Sequence, residues 1–131
     1  MSTVIVTIKG TPTPGDLLML SYSSPTRGGQ STLMVKVRPP TDTIVEDASG
    51  NKTIQTTKQT IENLVDGFVD EFARGQQWPL PEFEVTKRNA ESLVVKQQNA
   101  AGSFFDGIVF KGFVEGAGGA EPTETMELEV L

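Results

Sequence analysis

Short segments in which every second residue is apolar most constrain the fold of this chain. In the first of them, residues 3 to 9, three β-branched side chains fall on one face of an extended chain, as a strand with one buried side requires. Thirteen Gly and eight Pro among 131 residues supply the turns that join short strands. The sequence predicts one mainly β domain over residues 1 to 131, an antiparallel β-sandwich whose first three strands form a meander. Further strands are predicted at residues 17–23, 32–38, 83–87, 92–96, 108–114 and 124–131.

A single amphipathic helix is predicted over residues 57 to 74, which classifies the chain as α+β. Apolar residues recur at helical spacing from Ile61 to Phe72, and this face is expected to pack on the sandwich. Thr56 and Gln59 have the spacing of a capping box, which places the start of the helix.

The opposite face of this helix carries Glu62, Asp66 and Asp70 at successive four-residue spacing, here called the acidic row. Like charges at that spacing repel on a helix surface. The acidic row is interpreted as a solvated face or, alternatively, as a contact with the basic surface of a partner or a wall of negative charge. A carboxylate metal site or a catalytic pair is the remaining interpretation.

Residues 39 to 56 predict a hairpin that projects from the body of the domain. Pro39 and Pro40 end the preceding strand, and a turn follows between two short strands. Its apolar side chains, Ile44, Val45 and Ile54, are too few to give the hairpin a core of its own. They are therefore predicted to contact a partner.

Three other residues are predicted to contact a partner. The predicted strand at 108–114 is apolar on both faces, with Val109 and Phe113 on one of them, so it is either a central strand or covered by another chain. Trp78 is interpreted as a plug over the edge of the sandwich or as an interface anchor.

Composition excludes several classes of function. The chain has no Cys and no His, which excludes disulfides, cysteine nucleophiles, Ser-His-Asp triads and zinc sites built from these residues. Eleven Lys and Arg against seventeen Asp and Glu give a net charge of −6, which disfavours specific binding to nucleic acid. No signal peptide and no apolar run long enough to span a membrane is apparent, so no membrane association is expected. Because no phosphate-binding loop or nucleophile elbow occurs, we expect no enzymatic activity, no cofactor and no metal.

The order of these elements resembles a small β-sandwich module of bacteriophage virion proteins. The residues that carry the resemblance are residues 6–16, which end in Gly-Thr-Pro-Thr-Pro-Gly-Asp, the helix around Leu64, and the Gly-rich segment 116–119 before the strand at 124–131. The module is similar to domains of contractile-tail sheath proteins and to decoration and fibre proteins. The hairpin at 39–56 departs from the module, which usually has a shorter connection to the helix.

The resemblance implies a non-enzymatic structural protein of a phage virion that binds copies of itself and other virion proteins. A capsid decoration or cement protein, or an accessory tail protein, is the leading expectation. A major tail tube protein that forms stacked hexameric rings is the alternative, in which DNA would pass along the acidic row, and an acidic DNA-mimic inhibitor is a more distant one. The expected location is the virion, assembled in the host cytoplasm.

Overall fold

The fold was analysed in a computed structural model, which describes residues 3–24, 29–75, 83–97 and 109–131. Nine strands and one α-helix lie in these ranges. Their bounds are β1 (Thr3–Gly10), β2 (Leu17–Ser24), β3 (Gly29–Lys36), β4 (Thr41–Glu46), β5 (Lys52–Thr57), α1 (Ile61–Gly75), β6 (Phe83–Asn89), β7 (Ser92–Gln97), β8 (Val109–Glu115) and β9 (Glu124–Val130). A 3₁₀ turn at Ala117–Gly119 precedes β9.

Two antiparallel sheets pack face to face around the core. One has the strand order β6-β7-β1-β9 and the other the order β3-β2-β8. Alternate residues of the strands point inward, as the alternation in the sequence predicts. The predicted fold class, an antiparallel β-sandwich with one packed helix, is confirmed. The buried core consists of Val4, Val6, Ile8, Leu18, Leu20, Tyr22, Leu33, Val37, Leu64, Val65, Phe68, Phe72, Phe83, Leu93 and Val95.

The predicted meander of the first three strands is wrong, because β1 and β2 lie in different sheets. β1 is paired on both edges, with β7 and with β9, and β2 is paired with β3 and β8. The connection between them contains Pro12 and Pro14, which have no N–H group to continue a ladder. The chain therefore crosses from one sheet to the other instead of folding back beside β1.

Helix α1 packs at the side of the sandwich where β3 and β6 are the edge strands. Its buried face is the predicted apolar one, but the predicted capping box is not its start. Thr60 and Asn63 cap it reciprocally, since the Asn63 N–H donates to Thr60 Oγ1 at 3.2 Å and the Thr60 N–H donates to Asn63 Oδ1 at 3.0 Å. The proposed cap residues have other partners: the Thr56 hydroxyl donates to Asp42 in the hairpin, and Gln59 accepts from the Arg38 N–H.

Aromatic side chains fill the core beneath α1. Tyr22 lies 5.3 Å from Phe83 and 5.8 Å from Phe110, measured between ring centroids, and Phe72 lies 6.1 Å from Phe83. These separations are typical of favourable edge and tilted ring contacts. Phe110 thus joins β8 to the core through its inward face.

Strands β4 and β5 form a two-stranded sheet of their own, which confirms the projecting hairpin predicted at residues 39 to 56. Every residue of both strands is exposed. The turn is held by the Asp47 carboxylate, which accepts hydrogen bonds from the N–H groups of Ser49 and Asn51.

Strand β9 is the edge next to β1, and its predicted inward face is only partly correct. Met126 and Leu128 pack against the core. Gly112 of β8 makes room for them, because a Cβ atom there would lie 2.8 Å from Leu128 Cδ1. The prediction is wrong for Val130, which is 69% exposed at the outer end of this edge strand, where no described residue covers it.

Candidate functional site

Two carboxyl side chains, Asp16 and Glu124, are buried together at the end of the sandwich where the chain crosses between the sheets. They are only 2% and 1% exposed, respectively. One Asp16 oxygen accepts from the Ala117 N–H at 2.9 Å, and the Glu124 oxygens accept from the N–H groups of Thr13 at 3.2 Å and Thr123 at 3.1 Å. We call these two residues the carboxyl pair.

The pKa values of the carboxyl pair are shifted in opposite directions, which predicts that the two side chains share one proton over part of the pH range. A hydrogen bond from the Glu124 side chain, with the N–H groups of Ala117 and Thr123, lowers the pKa of Asp16 against the opposing effect of burial. Burial first, and then the neighbouring Asp16, raises the pKa of Glu124. Opposite directions are expected when two acids lie close together in a buried site, because one negative charge there costs less than two.

Two glycine-containing segments enclose the carboxyl pair, and both belong to the sequence pattern that carries the resemblance. Gly10 has φ 109° and Gly15 has φ 91°. A Cβ atom on Gly10 would lie 2.1 Å from the Thr123 carbonyl oxygen, and one on Gly15 would lie 2.8 Å from Ala117 Cβ. Gly10 therefore packs so closely against Thr123, and Gly15 against Ala117, that a larger side chain is excluded at both positions.

The arrangement suits a structural role, in which the carboxyl pair holds neighbouring backbone segments together, rather than the role of a catalytic acid and base. Paired carboxyls with separated pKa values can perform proton transfer only where a substrate reaches them. Asp16 and Glu124 have almost no exposed surface, and their oxygens are occupied by backbone N–H groups. The sequence analysis missed this pair, although Glu124 has the same inward parity in β9 as Met126 and Leu128.

The acidic row is not the uncompensated set of charges that its spacing suggests. Lys87 of β6 reaches across to it, with its Nζ atom 2.7 Å from Glu62 Oε2 and 3.2 Å from Asp66 Oδ1. Glu62 and then Asp66 raise the pKa of Lys87 above its usual value. The positive charge that offsets the repulsion between Glu62 and Asp66 therefore comes from strand β6.

Asp70 is separate from the other two members of the acidic row. No described cation lies within ion-pair distance of it. It lines a groove between α1 and β3, together with Arg38 and Arg74. Arg74 pairs with Glu71 on the same helix.

This difference between Asp66 and Asp70 gives a prediction. Asp66→Lys should lower the melting temperature by about 2 °C, because it removes one partner of Lys87 and adds a like charge beside it. Asp70→Lys should change it by less than about 1 °C, since the new contact with Asp66 replaces an equally weak attraction to Arg74. Thermal unfolding at low and high salt measures both, and the loss for Asp66→Lys should shrink in high salt. An Asp66→Lys variant at least as stable as wild type would contradict the bridge to Lys87.

The apolar contact residues proposed from the hairpin are all at the surface. Ile44 and Ile54 lie directly opposite each other in the β4–β5 register and are 69% and 72% exposed, and Val45 is 42% exposed on the other face. Directly opposed apolar side chains on a hairpin form one continuous patch. The hairpin therefore presents Ile44 and Ile54 together.

Val109 and Phe113 are also exposed, at 45% and 52%, on the side of β8 that faces away from the core. Of the two alternatives for this strand, the central position is wrong, because β8 is at the edge of its sheet among the strands that the structure describes. The sequence analysis missed Met34, which is 54% exposed on the same side of the same sheet. Met34 lies between buried Leu33 and half-buried Val35 in the sequence. The alternation along β3 therefore places Met34 on the outer side, and this could have identified it.

Trp78, the remaining candidate for a partner contact, lies outside the described residues. Among the residues that are described, no group of three or more acidic side chains is placed to hold a metal ion. Within the same ranges, α1 falls short of the length and apolar character needed to cross a bilayer, and no other helix qualifies.

Comparisons with protein-family models, curated proteins and solved structures found no match to this chain.

Proposed function

We propose that this chain is a non-enzymatic structural protein of a bacteriophage virion, a capsid decoration or accessory tail protein that works by binding copies of itself and other virion proteins. The observation that carries the proposal is the projecting hairpin, whose Ile44 and Ile54 are paired on one face and left in solvent. Large exposed apolar side chains on a projecting element are typical of a surface that a partner covers. The sequence resemblance to phage virion modules names the class of assembly.

Two observations bear on the alternatives, the hairpin and the position of Lys87. A sandwich with one helix and a projecting hairpin also suits a tail tube protein that forms hexameric rings. A DNA mimic needs an unbroken negative surface, whereas Lys87 lies between Glu62 and Asp66. The proposal therefore covers two forms of virion protein, a decoration or accessory tail protein and a tail tube protein. The charge pattern does not support an inhibitor that mimics DNA.

The test uses phage particles from the strain that encodes the chain. Mass spectrometry of purified particles should find the chain, and electron microscopy should show either single copies or trimers on a capsid lattice or six-fold rings. The variant Ile44→Thr/Ile54→Thr should melt within about 2 °C of wild type and incorporate at least tenfold less. Its matched control is Thr43→Ser/Gln55→Ser on the opposite face of the hairpin, which should incorporate normally. Particles that lack the wild-type chain would overturn the proposal, and normal incorporation of the Ile variant would remove the hairpin from it.

A further inference from the structure

The sheet β3-β2-β8 has one face in the core and one face in solvent, and we call the second the outer face. The register of the three strands arranges its residues in rows. Met34, Met19 and Phe113 form the middle row, because Met19 pairs with both of the others. Lys36, Leu17 and Glu115 form the row on one side, and Thr32, Ser21 and Lys111 form the row on the other.

The middle row makes the outer face apolar. Met34 is 54% exposed and Phe113 is 52% exposed, and half-buried Met19 lies between them. Leu17, also half-buried, extends this surface toward the next row. Contiguous apolar surface of this kind on a soluble domain marks a binding site.

The charges on the outer face indicate which partner it fits. Lys36 lies on β3 at one edge of the sheet, and Glu115 lies in the same row on β8 at the other edge. A two-fold axis that runs along β2 exchanges these edges between two copies of the chain. Lys36 of each copy then faces Glu115 of the other, so the complementary charge pair occurs twice.

The same axis matches the apolar residues. Met34 of one copy faces Phe113 of the other, which is a favourable sulfur–aromatic combination. Met19 and Leu17 meet their own counterparts near the axis. Two sheets related in this way keep their strand directions aligned, as sheets packed face to face usually do.

We propose that the outer face binds the outer face of a second copy about a two-fold axis along β2, with Met34 packed on Phe113 and Lys36 paired with Glu115. The contact rests on the proposed function and deepens it by naming one surface through which the chain binds itself. A face three strands wide is at the small end of specific interfaces, and we expect the isolated pair to have a dissociation constant in about the micromolar range.

The test uses charge reversal in trans. In Lys36→Glu both pairs become Glu opposite Glu, and in Glu115→Lys both become Lys opposite Lys, so each variant alone should dimerise about tenfold more weakly than wild type. An equimolar mixture of the two variants restores an opposite charge at both positions and should form a heterodimer within about threefold of wild-type affinity. Sedimentation velocity over a concentration series measures all three. Circular dichroism checks that these exposed substitutions leave the fold intact.

Lys111→Glu is the matched control, because this axis places Lys111 opposite Thr32 and not opposite an acid. A mixture that associates no better than its components overturns the proposal. A loss for Lys111→Glu as large as that for Lys36→Glu also overturns it, since a two-fold axis along the middle row would instead pair Lys111 with Glu115. If particles contain the chain but the variants leave its association unchanged, this contact fails and the virion role stands. If the mixture restores pairing but particles lack the chain, the contact stands and the virion role fails.

Discussion

Replacing Asp16 by Ala should lower the free energy of unfolding by about 3 kcal/mol. The substitution leaves the partly buried Ala117 N–H without its acceptor and Glu124 without the carboxyl group to which it is hydrogen-bonded. Each of these groups is costly to bury unpaired. Urea denaturation at pH 4 and pH 7 measures the loss, and Glu121→Ala, which removes an exposed carboxylate nearby, should cost less than about 0.5 kcal/mol.

The pH dependence of this loss distinguishes a shared proton from simple packing. The pKa of Asp16 lies below its ordinary 3.8, so its stabilising effect is lost as the pH falls through that lowered pKa. The pKa of Glu124 lies above its ordinary 4.5, so its stabilising effect is lost as the pH rises through that raised pKa. The stabilisation by the carboxyl pair is therefore largest between pH 3.8 and pH 4.5 and decreases on both sides.

Glu124→Gln separates the two sides of this profile. An amide cannot lose a proton, so the variant should show no decline of stability from this site as the pH rises above 4.5. A penalty for Asp16→Ala that stays constant across the whole pH range would contradict the shared proton.

Phe113→Ser is expected to weaken the proposed self-association strongly while leaving the folded monomer nearly unchanged. Phe113 is 52% exposed and points away from the core, so its loss should cost the monomer less than about 1 kcal/mol. The proposed pair contains two such contacts, each between Phe113 of one copy and Met34 of the other. The loss of both should raise the dissociation constant at least about a hundredfold.

Phe110→Ser is the matched control for this variant. Phe110 lies three residues earlier on β8 and points into the core, where its ring contacts Tyr22 and Phe83. Its replacement should lower the free energy of unfolding by about 3–4 kcal/mol. A comparable loss of monomer stability for Phe113→Ser would place that side chain in the core and contradict an interface.

Local patterns in the sequence were sufficient to predict the elements and most of their inward faces. Strict alternation in β1 and β2 and helical spacing in α1 identify the side chains that are buried. The pairing of β1 with β9 was not predictable in this way, because register between distant strands depends on which edges are free after both sheets form. The meander was wrong because the local pattern also does not show that β1 and β2 join different sheets.

The candidate contacts show the same limit. The exposure of Ile44, Ile54 and Phe113 follows from parity and from a shortage of apolar neighbours, so local pattern was enough. The environment of the acidic row was not predictable, because Lys87 comes from a strand beyond the helix. The carboxyl pair joins residues 108 positions apart, 124 minus 16, and only the closed sandwich brings them together.

The pairing of β1 with β9 also sets the order in which the fold can be completed during synthesis. Val4 pairs with Val130 and Gly10 pairs with Glu124, so one edge of β1 stays open until the ribosome has released β9. Unpaired strand edges are sites of aggregation. A nascent chain that stops before Glu124 has both an open edge and an Asp16 without its partner. Chains that stop there lack seven of the residue pairs that hold β1 in its sheet, so the native fold depends on β9 having been made.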